Sequence, residues 1–190
     1  MQSVVSRCRL FLLALLMFPI VGSATPAIAQ TAPDPAFEAA LAHFDRARQG
    51  EAGQLEAAIA AFQAAPGNPA LRPLYSAYLG SAKTLQGKAA WLPWNKMKFT
   101  EQGLDHIDQA LAALRPDHDI VLVQGTPVSL MTRIAAAATF VALPEGIFHR
   151  RAAGKALLAE MRRSPLLASA PAGFRAELGT IEAHLKEAEK

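Results

Sequence analysis

The side chains of this chain that could do chemistry are few and scattered. Its five histidines are His43, His106, His118, His149 and His184. No two of them stand four apart, so no helix face offers the paired imidazoles of an H-E-x-x-H zinc site. Acid–imidazole clusters occur at Asp105-His106 with Asp108 and at Asp117-His118-Asp119. Some ten residues of helix, about 15 Å, would separate them, so they cannot share one ion. Asp117 is expected to cap a following helix with its carboxylate, and a weak oxygen-and-imidazole site at 117–119 is the only metal option. Serine-elbow, Walker and dinucleotide patterns do not occur. The expectation is therefore a protein without catalysis, cofactor or metal. His149, Arg150, Arg151, Arg162 and Arg163 flank one helical segment, either as a solvated face or as a contact for an anion or acidic partner.

A second kind of chemistry, aromatic and cationic recognition, is concentrated in GKAAWLPWNKMKFTEQG, residues 87–103. Trp91 and Trp94, the two tryptophans of the chain, lie there among Lys88, Lys96 and Lys98. Two readings stand side by side. The indoles fold back and bury their area against the hairpin end, or they form an exposed patch able to stack on a ligand or dock a partner.

The elements that must position these residues are helical. Alanine and leucine dominate, while β-branched and aromatic residues are sparse outside one segment. Asp34-Pro35 opens a helix with Phe37, Leu41, Phe44 and Ala47 on one face, ending near Gly50. Leu55, Ala58, Ile59, Phe62 and Ala65 trace a second, stopped at Pro66-Gly67-Asn68-Pro69. A third follows Asn68, carries Leu71, Leu74, Tyr75, Tyr78, Leu79, Ala82 and Leu85, and is expected to stop at Gly87. Pro93 suits the first turn of a fourth, defined by Met97, Leu104, Ile107, Leu111 and Leu114 and ended by Pro116.

IVLVQGTPVSLM is less plain. A strand at Ile120–Val123 is an alternative, but helix is preferred because a lone strand leaves backbone groups unpaired. Val128–Leu143 should be the most buried helix, and the run is short for a bilayer. A sixth helix, lined by Ile147, Leu157, Leu158 and Met161, ends before Pro165. A last one follows Pro171 with Phe174, Leu178, Ile181 and Leu185. Hairpins are thus expected at about 34–66, 68–116 and 117–165, with a cap at 171–190.

The N-terminus carries Arg7 and Arg9, an apolar run Leu10–Val21 and the triplet Ala27-Ile28-Ala29. This pattern predicts a cleavable secretory signal over residues 1–29, an uncleaved interfacial helix being the alternative. Its loss removes the only cysteine, Cys8, and two of the positive charges, taking the net charge from +3 to +1. A nearly neutral chain gives no field for nucleic acid. What remains is long enough for one self-sufficient domain.

Leu79-Gly80, with Gly87 seven residues on, resembles the first-helix pattern of a tetratricopeptide repeat. Ala58, Phe62 and Ala65 resemble the second-helix signature, as does Ala110-Leu111 leading to Pro116. Residues 77–119 look like a stretch of exported bacterial tetratricopeptide-like proteins, and the resemblance is best over 68–165. The signature tryptophan is missing, and the 87–116 half is longer than standard. The resemblance implies an all-α protein, antiparallel hairpins stacked as a short solenoid with a C-terminal capping helix. It further implies an adaptor for a protein or peptide partner, which the leader would place in the periplasm or outside the cell. Tyr75, Tyr78 and Lys83 would line the groove, though both tyrosines suit a core equally, and Trp91, Trp94 and Lys96 would complete the binding set. A small-molecule carrier with a pocket beside the Val128–Leu143 helix is the alternative function.

Overall fold

The computed structural model describes residues 34–188, except Ala65 and Gly67. The expected leader, residues 1–29, lies outside them. The described chain is all-α, with eight α-helices packed against one another. α1 (Pro35–Arg48) and α2 (Gln54–Gln63) form the first antiparallel pair. Asp34 caps α1 by accepting from the Ala36 and Phe37 N–H groups at 3.0 and 3.1 Å. Asn68 similarly caps a 3-10 turn at Pro69–Leu71 that runs into α3 (Arg72–Ala89). α4 (Pro93–Ala112) returns along α3 in the most extensive helix contact of the molecule.

That contact corrects the expected role of Gly87. α3 continues past it to Ala89, and Gly87 is buried against the backbone of Lys96 and Thr100. Gly80 and Gly103 face each other in the same seam, where a Cβ on either would stand 2.5 Å from the other's carbonyl oxygen. Three glycines therefore hold α3 and α4 nearly backbone to backbone. Their low helix propensity is offset by the packing this allows.

One end of the main core lies where α1, α2 and α3 meet. Phe37, Phe44, Phe62, Tyr75 and Tyr78 form one aromatic cluster, with ring centroids 5.4 Å apart for Phe37–Tyr78 and 5.5 Å for Phe62–Tyr78. Mixed edge and stacked arrangements of this kind add to the area term. α5 (Val128–Ala142) is the most enclosed long helix, its core face filled by Val128, Leu130, Ile134, Ala137 and Phe140. It packs on α3, where the Ser81 and Thr139 hydroxyls meet at 2.7 Å, and on α7 (Arg151–Arg163). α8 (Ala172–Ala188) lays Phe174, Leu178, Ile181 and Leu185 into the core and contacts α5 and α7.

Two expectations about the third hairpin are overturned. Residues 117–123 form no α-helix. A 3-10 turn at Pro116–Asp119 precedes β1 (Leu122–Val123), which pairs antiparallel with β2 (Thr126–Pro127). The strand at Leu122–Val123 is thus not a lone one, its partner lying just downstream. Gln124 and Gly125, at φ 51° and 76°, make the tight turn that connects them. Asp117 consequently has no helix to cap. His118 is buried, its Nδ1 accepting from the Arg115 N–H at 2.8 Å. The sixth helix is also divided, into α6 (Glu145–Phe148) and α7. His149 at φ 53° breaks the path, and Ile147 is left exposed instead of lining the core.

Candidate functional site

The end of the α3–α4 hairpin is the part of the surface that packing alone does not explain. α3 ends at Ala89, Ala90–Leu92 makes the turn, and Pro93 begins α4 with its fixed φ suited to a first helical position. Leu92, the residue preceding α4, provides no side-chain cap. Trp91, at the apex, is 91% exposed and Trp94, in the first turn, 65%. The packing reading of the two indoles is thereby overturned. Across so short a connection, neither ring is covered by another helix.

Met97 joins them. Trp94, Met97 and Lys98 are spaced three and one apart, which places them on one helix face. Met97 was expected to help define the apolar face of α4, but that face is occupied by Thr100, Gly103, Leu104, Ile107 and Ala110. Three of the five exposed large hydrophobic residues among those described are thus gathered at this tip. Around them Lys88, Lys96 and Lys98 are exposed, and none forms an ion pair among the described residues. Lys83, one helical turn or more inward, is half-buried with its Nζ 5.9 Å from the centre of the Phe99 ring. That contact allows the ammonium to rest on apolar surface.

Beside the tip is a cleft of about 410 Å³, lined by Leu55 and Glu56 of α2, Gln86 of α3, and Trp91, Leu92 and Phe99. The Gln86 Oε1 atom is buried with no hydrogen-bond partner among the described residues. Such an atom is costly to leave unpaired and is ready to accept from a donor entering the cleft. Gln86, Leu92, Met97 and Phe99 were missed as site residues. One signal was available: from Ala57 to Thr100 the chain has no Asp or Glu, but contains Arg72, Lys83, Lys88, Lys96 and Lys98.

Tyr75 and Tyr78 do not belong to this surface. They are 3% and 8% exposed and sit in the aromatic cluster, so the core alternative applies and the expected groove residues are withdrawn from solvent. The Tyr75 hydroxyl donates to Asp34 at 3.2 Å, and burial together with that carboxylate pushes its pKa up to about 12. Burial likewise raises Tyr78. Both phenols stay neutral at any ordinary pH and act as packing groups.

The acid–imidazole clusters do not assemble a centre. Among the described residues, no three His, Cys, Asp or Glu side chains converge to hold an ion. Asp108 is engaged by Arg150 at 3.0 and 2.7 Å, and burial and Lys83 hold His106 below its ordinary pKa. A second cleft, about 330 Å³, lies beside α5 between Asp119, Arg133, Glu160 and Arg163. The Arg133–Glu160 pair at 3.0 Å spans part of it. The basic group around α7 is largely spent on partners: Arg162 is bidentate to Glu182 at 2.7 Å, and Arg151 donates to the Ala188 carbonyl at 3.2 Å.

Compared with known proteins, the chain matches no family model, no curated protein and no solved structure. No helix among the described residues is long and apolar enough to cross a membrane.

Proposed function

We propose that this protein is an exported, non-catalytic docking adaptor whose working surface is the α3–α4 tip. The observation that carries the proposal is the near-complete exposure of Trp91, with Trp94 and Met97 beside it, on a hairpin braced by buried glycines. Large apolar side chains left in water cost stability that burial elsewhere would have gained, at about 25 cal/mol per Å². A rigid support presenting them is the form of a binding hot spot with little ordering entropy left to lose. The unpaired lysines around them add orientation and a salt-dependent encounter rate. The tetratricopeptide-like resemblance supports the same class of activity, with the contact moved from the concave helices to the hairpin end.

The test is a photo-cross-linking residue placed at Trp94 or at Lys96 in intact cells, with Arg175 on α8 as the remote control. Capture of protein or lipid from the tip positions, lost on Trp91→Ala, is the expected result. Equal capture from the tip and from Arg175 would dismiss the tip as a docking surface. Fractionation of the same cells tests export, and a protein found wholly in the cytoplasm would remove that part of the proposal.

A further inference from the structure

We infer that the tip docks on an anionic lipid bilayer, with Trp91, Trp94 and Met97 entering the headgroup region and Lys88, Lys96 and Lys98 meeting its phosphates. This inference rests on the proposal that the tip is a docking surface and names what lies on the other side of it. Three features separate a lipid surface from a protein partner.

The first is shape. Trp91, at one edge of the cleft, projects from the apex of a two-helix turn at 91% exposure, so most of its ring stands out in solvent as a point. A protein partner would need a matching pocket to bury such a point. A fluid interface closes around it without one.

The second is residue type. Tryptophan is enriched at the membrane–water boundary, where the indole ring sits at headgroup depth and its N–H remains hydrogen-bonded. Lysine there keeps its ammonium with the phosphates while its methylenes follow the apolar phase. Both are present within the first turns of α4, and the uncapped helix start presents N–H groups of a sign that suits a phosphate oxygen.

The third is charge. No carboxylate occurs between Glu56 and Glu101, and the three exposed lysines have no ion-pair partner among the described residues. Their field is complementary to a surface of one sign. At an anionic bilayer each such lysine strengthens binding roughly fivefold. Glu56, which lines the cleft with Trp91, and Glu101, one turn beyond Lys98 on α4, bound the basic stretch. The contact is therefore peripheral, in agreement with the lack of a spanning helix among the described residues.

The chain itself supplies the reporter, because its two tryptophans both lie in the tip. Emission of the full chain is followed on vesicles of phosphatidylcholine alone and on equal parts phosphatidylcholine and phosphatidylglycerol, with bromine on the acyl chains as quencher. Fluorescence reads indole depth however the rest of the chain is held. The expected result is a blue shift and quenching on the anionic vesicles only, reversed by salt. The variant K88Q/K96Q/K98Q should bind roughly 100-fold more weakly. W91F and W94F each leave one reporter and should both be quenched.

Unchanged emission on the anionic vesicles, with a protein still captured at Trp94 in a Trp91-dependent way, overturns the lipid inference and leaves the docking surface standing with a protein partner. Unchanged emission with no tip-specific capture removes both.

Discussion

The two ends of the molecule use positive charge in opposite ways. At the α5–α7–α8 end three arginines are held by carboxylates on other helices: Arg150 on Asp108, Arg162 on Glu182 and Arg133 on Glu160, at 2.7 to 3.0 Å. At the α3–α4 tip the cations are lysines that form no ion pair among the described residues, set among exposed rings. Planar guanidinium groups suit fixed bidentate pairing, whereas an ammonium on a flexible stem suits a changing or diffuse partner. The lesson is that charge at one end serves cohesion between helices, and at the other it is kept for something outside the chain.

Substitutions can break or sharpen that contrast. The largest effect is expected from Gly103→Val, because the new side chain would be driven into the Gly80 carbonyl and Thr84. Over-packing a seam this close should cost about 3 kcal/mol in chemical denaturation and should also loosen the platform under the tryptophans. A variant of wild-type stability would show that the glycine seam is not what supports the tip.

Next in size is Asp108→Ala. It strips the carboxylate from Arg150, whose guanidinium also lies 5.2 Å from the Phe140 ring centre, and leaves a half-buried cation without its acceptor. A loss of about 1 to 2 kcal/mol is expected, discounted for the partial exposure of both groups. The double change with Arg150→Met should recover part of it, and a full loss in the double variant would mean that the pair contributes nothing specific.

Smaller again is the Arg162–Glu182 pair. The hydrogen bond from Arg162 holds the Glu182 carboxyl below its ordinary value, 4.5, in the folded chain. The folded state therefore prefers the ionised form. Stability from this pair is present above pH 4.5 and is lost as pH falls from there through the lower folded value. Both side chains are partly exposed, so the amount should stay under about 1 kcal/mol. Glu182→Gln should remove this share of the acid sensitivity, and an unaltered pH profile would count against the pairing.

The smallest effect on stability belongs to the pair of changes most damaging to docking. Trp91→Ala with Trp94→Ala should shift the melting free energy by no more than about 0.5 kcal/mol, since neither ring is buried in the core. A large loss would mean that the rings pack in solution, and the contrast between the two ends would fail.

His106 adds a pH term from the middle of the hairpin. Burial and Lys83 lower its pKa, so the folded chain favours the neutral ring. Stability should decline as pH falls through the ordinary value near 6.5, until the lower folded value is passed. His106→Gln should flatten that slope in a denaturation series.

Local signals in the sequence reached far into this fold. Asp34, Asn68 and Pro93 mark helix starts where the structure has them, and Phe174, Leu178, Ile181 and Leu185 are the buried residues of α8 as their spacing predicts. These succeed because capping and a 3.6-residue period act within one or two turns. The errors lie where a local signal has two outcomes. Gly87 has the composition of a stop but is a close-packing residue, and the turn at Gln124-Gly125 supplied a partner for a strand that looked solitary. The candidate site was half legible. Trp91, Trp94, Lys83 and Lys96 were singled out by type, whereas Tyr75 and Tyr78 had the same credentials and turned out to be core.

Taken alone, the sequence determined that the described chain is helical, where most helices begin, and which side chains are greasy or charged. Only the tertiary structure decided which greasy rings meet other rings and which meet water. The physical reason is that an aromatic side chain has the same drive to leave water wherever it sits. Whether it succeeds depends on a second helix passing over that position. For Tyr78 the neighbours are Phe37, Phe44 and Phe62, contributed by α1 and α2. For Trp91, at the apex between α3 and α4, no helix passes over the ring.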